Sequence, residues 1–192
     1  GMLGWQVLNQ FKNYKYNIKC QVRNIKSKKS LVKKLNLNKK IQFFYFDVEK
    51  DKIDNLFKKI SYRDIIINCI GKIKPFINDN ELNQVNAAIK VNSLFPIQLS
   101  KIIKLKKNKI YQIATDCVYS GEKGNYVEMS KHDALDVYGK TKSLGEVNKK
   151  NFFNIRVSII GKEINTKNSL VEWFLSNKKK EKIFGFTNHL WN

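Results

Sequence analysis

The sequence predicts an α/β fold built on a doubly wound parallel sheet, and three observations carry that prediction. Strand-like and helix-like segments alternate from end to end with no internal repeat, the pattern of βαβ units. Asp64-Ile65-Ile66-Ile67-Asn68-Cys69-Ile70-Gly71 is a short apolar run closed by glycine, as a parallel strand buried on both faces reads. The 192 residues are 42% hydrophobic, which suits one domain with a substantial core and argues against disorder. Right-handed crossovers then make the doubly wound sheet the default.

The elements follow in order. Residues 2–13 read as a helix with Leu3, Val7, Leu8 and Phe11 on one face. A strand is expected over 16–23, a basic helix over 27–35, and an aromatic strand over 41–46 that ends at Asp47. Ile53, Leu56, Phe57 and Ile60 stand at helical spacing within 51–60. After the 64–71 strand come a long helix over 81–106 and a strand over 109–114. A helix over 137–150, a strand over 154–160 and a helix over 169–176 complete the chain. Ligands of such sheets bind at the carboxyl ends of the strands, so the residues after each strand are the ones to question.

Composition narrows the function classes. No run of about eighteen apolar residues exists, so no membrane span is expected. Residues 1–10 have no basic start and no long apolar stretch, which reads as no secretory leader. Cys20, Cys69 and Cys117 are odd in number and far apart. They fit neither a disulfide framework nor a metal site, and they point to a reducing, cytoplasmic setting. The net charge of +21 raises nucleic-acid binding, but only Arg23, Arg63 and Arg156 are arginines. Lysines spread evenly among asparagines and isoleucines are the usage of an A/T-rich genome, so nucleic acid is not the expected partner. His132 reads as a polar-loop residue, and His189 as a residue near a pocket.

One constellation carries chemistry. The strand ending at Ala114 runs into Thr115-Asp116-Cys117-Val118-Tyr119-Ser120-Gly121, and a helix-length later comes Tyr138-Gly139-Lys140-Thr141-Lys142. Tyr138 and Lys142 are four apart and share a helix face. A phenol of pKa ~10 is a poor acid near neutral pH, and an ammonium one turn away is expected to lower it. Such a phenol can protonate a carbonyl oxygen as hydride reaches the carbon, and a Thr115 hydroxyl can hold the same oxygen.

These residues resemble the extended short-chain dehydrogenase/reductases, and within them the dTDP-4-dehydrorhamnose reductase-like sugar-nucleotide reductases. The likeness runs through Ala114 to Gly121 and through Tyr138-Gly139-Lys140-Thr141-Lys142-Ser143-Leu144-Gly145-Glu146. It extends to Ile66-Ile67-Asn68-Cys69-Ile70-Gly71, Val91-Asn92-Ser93 and Arg156-Val157-Ser158-Ile159-Ile160-Gly161. The resemblance implies a Rossmann-type sheet and a catalytic trio of Thr115, Tyr138 and Lys142. It also implies NADPH or NADH as cofactor. Gly1, Met2, Leu3 and Gly4 look like the end of the family's pyrophosphate-binding glycine turn. The first strand and first glycine of that turn are then expected to be missing; alternatively Gly1 is a cloning scar.

Arg23 closes the second family strand, where a basic residue suits a 2′-phosphate and NADPH, or is simply a surface arginine. Asp47 and Val48 match an adenine-contacting step, unless Asp47 is a helix cap. Cys69, Ile70 and Gly71 match the strand end that runs along the cofactor. Asn92 matches a structural asparagine near the site, and Lys142 is expected on the nicotinamide ribose. Ser158, Thr187 and Asn188 are the substrate candidates, and no metal ligand is expected. The implied substrate is a nucleoside-diphosphate sugar of polysaccharide biosynthesis, reduced at a 4-keto carbon. The alternatives are an epimerase or dehydratase of the same superfamily, or a non-catalytic cofactor-binding protein. A homodimer is compatible with this reading. Residues 1–192 are expected to be a cofactor-binding domain clipped at both ends, with a substrate-binding segment starting at about 161. Taken literally, such a chain would bind cofactor poorly.

Overall fold

The computed structural model describes residues 1–37, 41–161, 169–177 and 182. The chain divides into two compact units, Gly1–Ile159 and Ile160–Asn192. The first carries β1 (Lys19–Val22), β2 (Gln42–Tyr45), β3 (Ile65–Asn68), β4 (Lys109–Thr115) and β5 (Phe152–Val157). All neighbouring strands are parallel, so the fold is α/β as the alternation predicts.

The ladders form two sheets, β1–β2 and β3–β4–β5. Among the described residues no strand ladder joins the two sheets. The two sheets still share one core. Phe46 follows β2, and its ring lies 6.1 Å from that of Phe95 in a helix covering the second sheet. Around them Leu56, Ile60, Leu99, Ile102, Ile110, Val147 and Phe152 are buried. Each such side chain contributes roughly 1.5–3 kcal/mol through removal from water. Lys19 of β1 also reaches Asp64, just before β3, at 2.9 Å.

Helices connect the strands. α1 (Met2–Phe11) precedes β1. α2 (Ile25–Leu35) starts where the Asn24 side chain accepts from Ser27 N–H, and ends at Asn36 in the left-handed region (φ 45°). α3 is only Ile53–Phe57, shorter than the spacing predicts. The long helix expected over 81–106 is interrupted. It runs as α4 (Leu82–Ala88), a π turn (Ile89–Leu94), α5 (Phe95–Leu99) and α6 (Lys101–Lys106). The widened turn carries Asn92, whose side chain is drawn to the Lys72 backbone and to Thr141.

α7 (Val137–Leu144) ends six residues before the expected 150, at Gly145. A Cβ there would stand 1.9 Å from the Asn92 carbonyl oxygen, so this close crossing of α7 on the π turn requires glycine.

β3 corrects one expectation. Ile65 is 67% exposed and Ile67 38%, so the strand is not buried on both faces. The described helices of this unit that follow β3 and β4 put Ile110 and Phe152 in the core. On the other face Ile67, Tyr111 and Phe153 align in register, with the last two rings stacked at 5.1 Å. In the second unit, α8 (Leu170–Ser176) begins at Ser169, whose hydroxyl accepts from Glu172 N–H. Among the described residues no helix is long and apolar enough to cross a membrane.

Candidate active site

The site forms at the carboxyl end of β4. Thr115 is buried, and its Oγ1 accepts from Cys117 N–H at 3.2 Å, capping a 3₁₀ turn over Asp116–Val118. Asp136 caps α7 by accepting from Gly139 N–H at 2.7 Å, which sets Tyr138 in the first turn. Gly139 lets that turn sit against the preceding loop, because a Cβ would meet both the Ala134 Cβ and the Cys117 carbonyl oxygen at 2.4 Å. Thr115 Oγ1 donates to Asp116 Oδ1 at 3.2 Å, and Thr115 lies close enough to the Tyr138 phenol to influence its proton. Lys142, one turn on and also buried, donates to the Ile113 carbonyl at 2.9 Å.

The electrostatics differ from what the four-residue spacing predicts. Burial pushes the Tyr138 phenol above its ordinary value, and Thr115 offsets this only in part. Asp116, Asp136 and Cys117 push it further the same way. Burial also lowers the Lys142 ammonium, against the pull of Glu146 and Cys117. With its ammonium held by Ile113, Lys142 does not bring the phenol below the usual range; a phenol that keeps its proton results.

The expected cofactor residues fall in two groups. Gly71 is exposed at the end of β3, and a Cβ on it would lie 3.6 Å from both Asn92 Oδ1 and Lys142 Nζ. Asn92 accepts from Lys72 N–H at 2.8 Å and so fixes this strand end beside the trio. Asn68 donates to Gln112 at 2.6 Å and accepts from Ile70 N–H at 3.1 Å, shaping the turn through Cys69 and Ile70. The second group gathers at the start of α1. A Cβ on Gly4 would lie 3.6 Å from that of Cys69, and burial lowers the Gly1 amino group, with Arg23 acting in the same direction. Met2 and Leu3 complete that first turn, and protein packing forces a glycine at neither 1 nor 4.

Asp47 follows β2 and accepts from Glu49 N–H at 3.0 Å, within a turn before α3 rather than as its cap; Val48 packs on the core. Thr115 pairs in register with Val157, so exposed Ser158 stands at the same sheet end. Thr187, Asn188 and His189 lie outside the described residues.

Sequence reading missed two supports. Lys74 pairs with Asp136 at 2.5 Å, and Asp79 accepts from Val137 N–H at 3.1 Å, so the loop after β3 holds the start of α7. Arg156 of β5 binds Glu146 through two bonds of 2.9 and 2.7 Å and reaches His132 at 2.8 Å. His132 is thus half-buried in a network rather than a bystander in a polar loop. Glu146 and Arg156 both stand in the quoted motifs, but nothing local in the sequence pairs them. Among the described residues no cluster of His, Cys, Asp or Glu is arranged to hold a metal.

Solved proteins share this fold. A hypothetical dTDP-4-dehydrorhamnose reductase from Sulfolobus tokodaii is 25% identical, with a TM-score of 0.53 over 66% of this chain and 50% of its own. A dTDP-4-dehydrorhamnose reductase from Clostridium acetobutylicum is 23% identical, with a TM-score of 0.51 over 72% and 52%. The UDP-Glc/GlcNAc 4-epimerase of Campylobacter jejuni is 21% identical, with a TM-score of 0.63 over 76% and 44%. The last two show the shared fold alone. This chain spans about half the length of these solved relatives. No curated protein sequence matches it. The family model described as the RmlD substrate binding domain matches residues 1–184, and the chain belongs to that family.

Proposed function

We propose that the protein of this chain reduces the 4-keto carbon of a nucleoside-diphosphate deoxysugar, with NADPH as the hydride source, in the supply of sugars for polysaccharides. The observation that carries this reading is the meeting of Thr115, Tyr138 and Lys142 at the end of β4, in a chain of this family.

The residues present fit a nicotinamide dinucleotide. Exposed Gly71 leaves open the space before Lys142 and Asn92, and the first turn of α1 lies beside Cys69 and Arg23. Bound there, the cofactor supplies hydride to the carbonyl carbon. Tyr138 holds a proton at its phenol oxygen and gives it to the carbonyl oxygen, so ketone, hydride and proton become an alcohol. Its raised pKa keeps that proton in place across neutral pH. Thr115 holds the same oxygen through Oγ1. Lys142, anchored on Ile113, serves the ribose hydroxyls in this reading. Exposed Arg23 favours a 2′-phosphate and hence NADPH over NADH. Ser158, Thr187 and Asn188 are the substrate candidates that the resemblance implies, and the unit beginning at Ile160 starts the substrate-binding segment in this reading. The +21 charge assists capture of an anionic nucleotide.

The test follows NADPH oxidation with dTDP-4-dehydro-L-rhamnose, using the natural gene product carrying this sequence. Tyr138→Phe is expected to lower kcat by about 10²–10⁴-fold, the usual share of a general acid. Isomerised sugar with no net oxidation would contradict the reductase and favour the epimerase.

A further inference from the structure

The Arg156 guanidinium has five N–H donors, and the structure gives each one an acceptor. Nε donates to Glu146 Oε1 at 2.9 Å, and Nη2 to Glu146 Oε2 at 2.7 Å. Nη1 donates to the Tyr119 hydroxyl at 2.6 Å and to the Glu128 carbonyl at 2.9 Å. The fifth donor, on Nη2, meets His132 Nε2 at 2.8 Å. A guanidinium has no acceptor, so Nε2 must offer its lone pair. The ring proton then belongs on Nδ1, which lies 2.7 Å from Ser143 Oγ.

This network spans three elements that frame the trio. Arg156 is on β5, Glu146 and Ser143 belong to α7 and its end, and Tyr119, Glu128 and His132 are in the 119–136 loop. Tyr119 further donates to the Val127 carbonyl at 2.9 Å and meets the His132 ring edge-on at 5.5 Å. The loop passes its position to Tyr138. Asp133 and Ala134, next to His132, donate to the Val118 carbonyl at 3.2 and 3.1 Å. Ala134 in turn packs where a Gly139 side chain would be, beside Tyr138.

We propose that neutral His132, protonated on Nδ1 and accepting from Arg156, is a positioning residue that seats the 119–136 loop and thereby the phenol of Tyr138 against Thr115. The functional part of this inference rests on the proposed reductase reading; the tautomer and the loop contact do not. A second ring proton would set N–H against N–H at Arg156, release the acceptor and loosen the loop. Glu146 Oε2 lies 3.8 Å from Nε2. Asp133, the loop's other acid nearby, is engaged by Ser120 N–H and the Tyr126 hydroxyl.

The test uses the natural gene product. Histidine ¹H–¹⁵N spectra at pH 8, with the His132 resonance assigned by its loss in His132→Gln, are expected to show a neutral ring protonated on Nδ1. An Nε2–H ring or an imidazolium there would overturn the inference. Peptide-resolved alkylation of exposed Cys117, at the root of the loop, reads the loop without activity. His132→Phe is expected to speed it several-fold, and His132→Gln, which keeps an acceptor, to leave it near wild type. Equal rates in Phe variant and wild type would overturn the positioning role. In wild type, but not in His132→Gln, alkylation relative to the pH 8 pattern should rise as the spectra show the second proton arriving. His132→Phe should lower kcat more than it changes KM. Should wild type oxidise no NADPH while tautomer and alkylation behave as expected, the reductase reading falls and the positioning stands.

Discussion

Cysteine environments separate three thiols that look alike in the sequence. Burial pushes Cys20 and Cys69 up to about 11, so both are thiols at neutral pH. Cys117 is also raised by burial, but it is exposed and a hydrogen bond with Thr115 offsets part of that shift. Iodoacetamide at pH 8 is therefore expected to label Cys117 well before the other two, read by mass spectrometry of the peptides. Faster labelling of Cys69 would mean that the start of α1 does not cover it. That Tyr138 and Lys142 stand on one helix was legible from their four-residue spacing. The direction of the Tyr138 shift was not, since it depends on burial and on Lys142 being held by a carbonyl of the neighbouring strand. His132 was illegible for a similar reason: its partner, Arg156, is 24 positions away.

α7 shows how an element is fixed from outside itself. Its start depends on Asp136, which caps Gly139 N–H and pairs with Lys74. Burial alone would raise that carboxyl, but the bonds from Lys74 and Gly139 outweigh it and hold the pKa below the usual carboxylate range. A carboxyl lowered on folding adds stability above its unfolded value, and that stability is lost as pH falls through the lowered folded value. Asp136→Ala should thus cost about 1 kcal/mol at neutral pH, as N-cap losses do, and progressively less in acid below the ordinary carboxylate range. Paired thermal melts across that range check it; an equal difference at every pH would contradict the account. The sequence marked where α7 begins but not where it stops. Gly145 ends it because the Asn92 carbonyl crosses there, a contact between segments over fifty residues apart. The π turn at Ile89–Leu94 escaped the reading for the same reason, as local periodicity continues through it.

For the molecule as a whole, two parallel sheets share a core around Phe46, Phe95 and Leu99. Alternation of strands and helices made the fold class legible, while the division into two sheets required the ladders themselves. The apolar run at β3 misled on burial, because isoleucines at 65 and 67 look the same whether or not something covers them. The central claim is that the trio serves net hydride transfer to a sugar carbon. The most direct measurement supplies NADPH carrying deuterium at nicotinamide carbon 4, on the transferable face, with dTDP-4-dehydro-L-rhamnose and the natural gene product. The account predicts deuterium on sugar carbon 4, one for each NADPH consumed, with the rate lost in Tyr138→Phe. Sugar turned over without deuterium, or deuterium incorporated at an undiminished rate by the Phe variant, would contradict it.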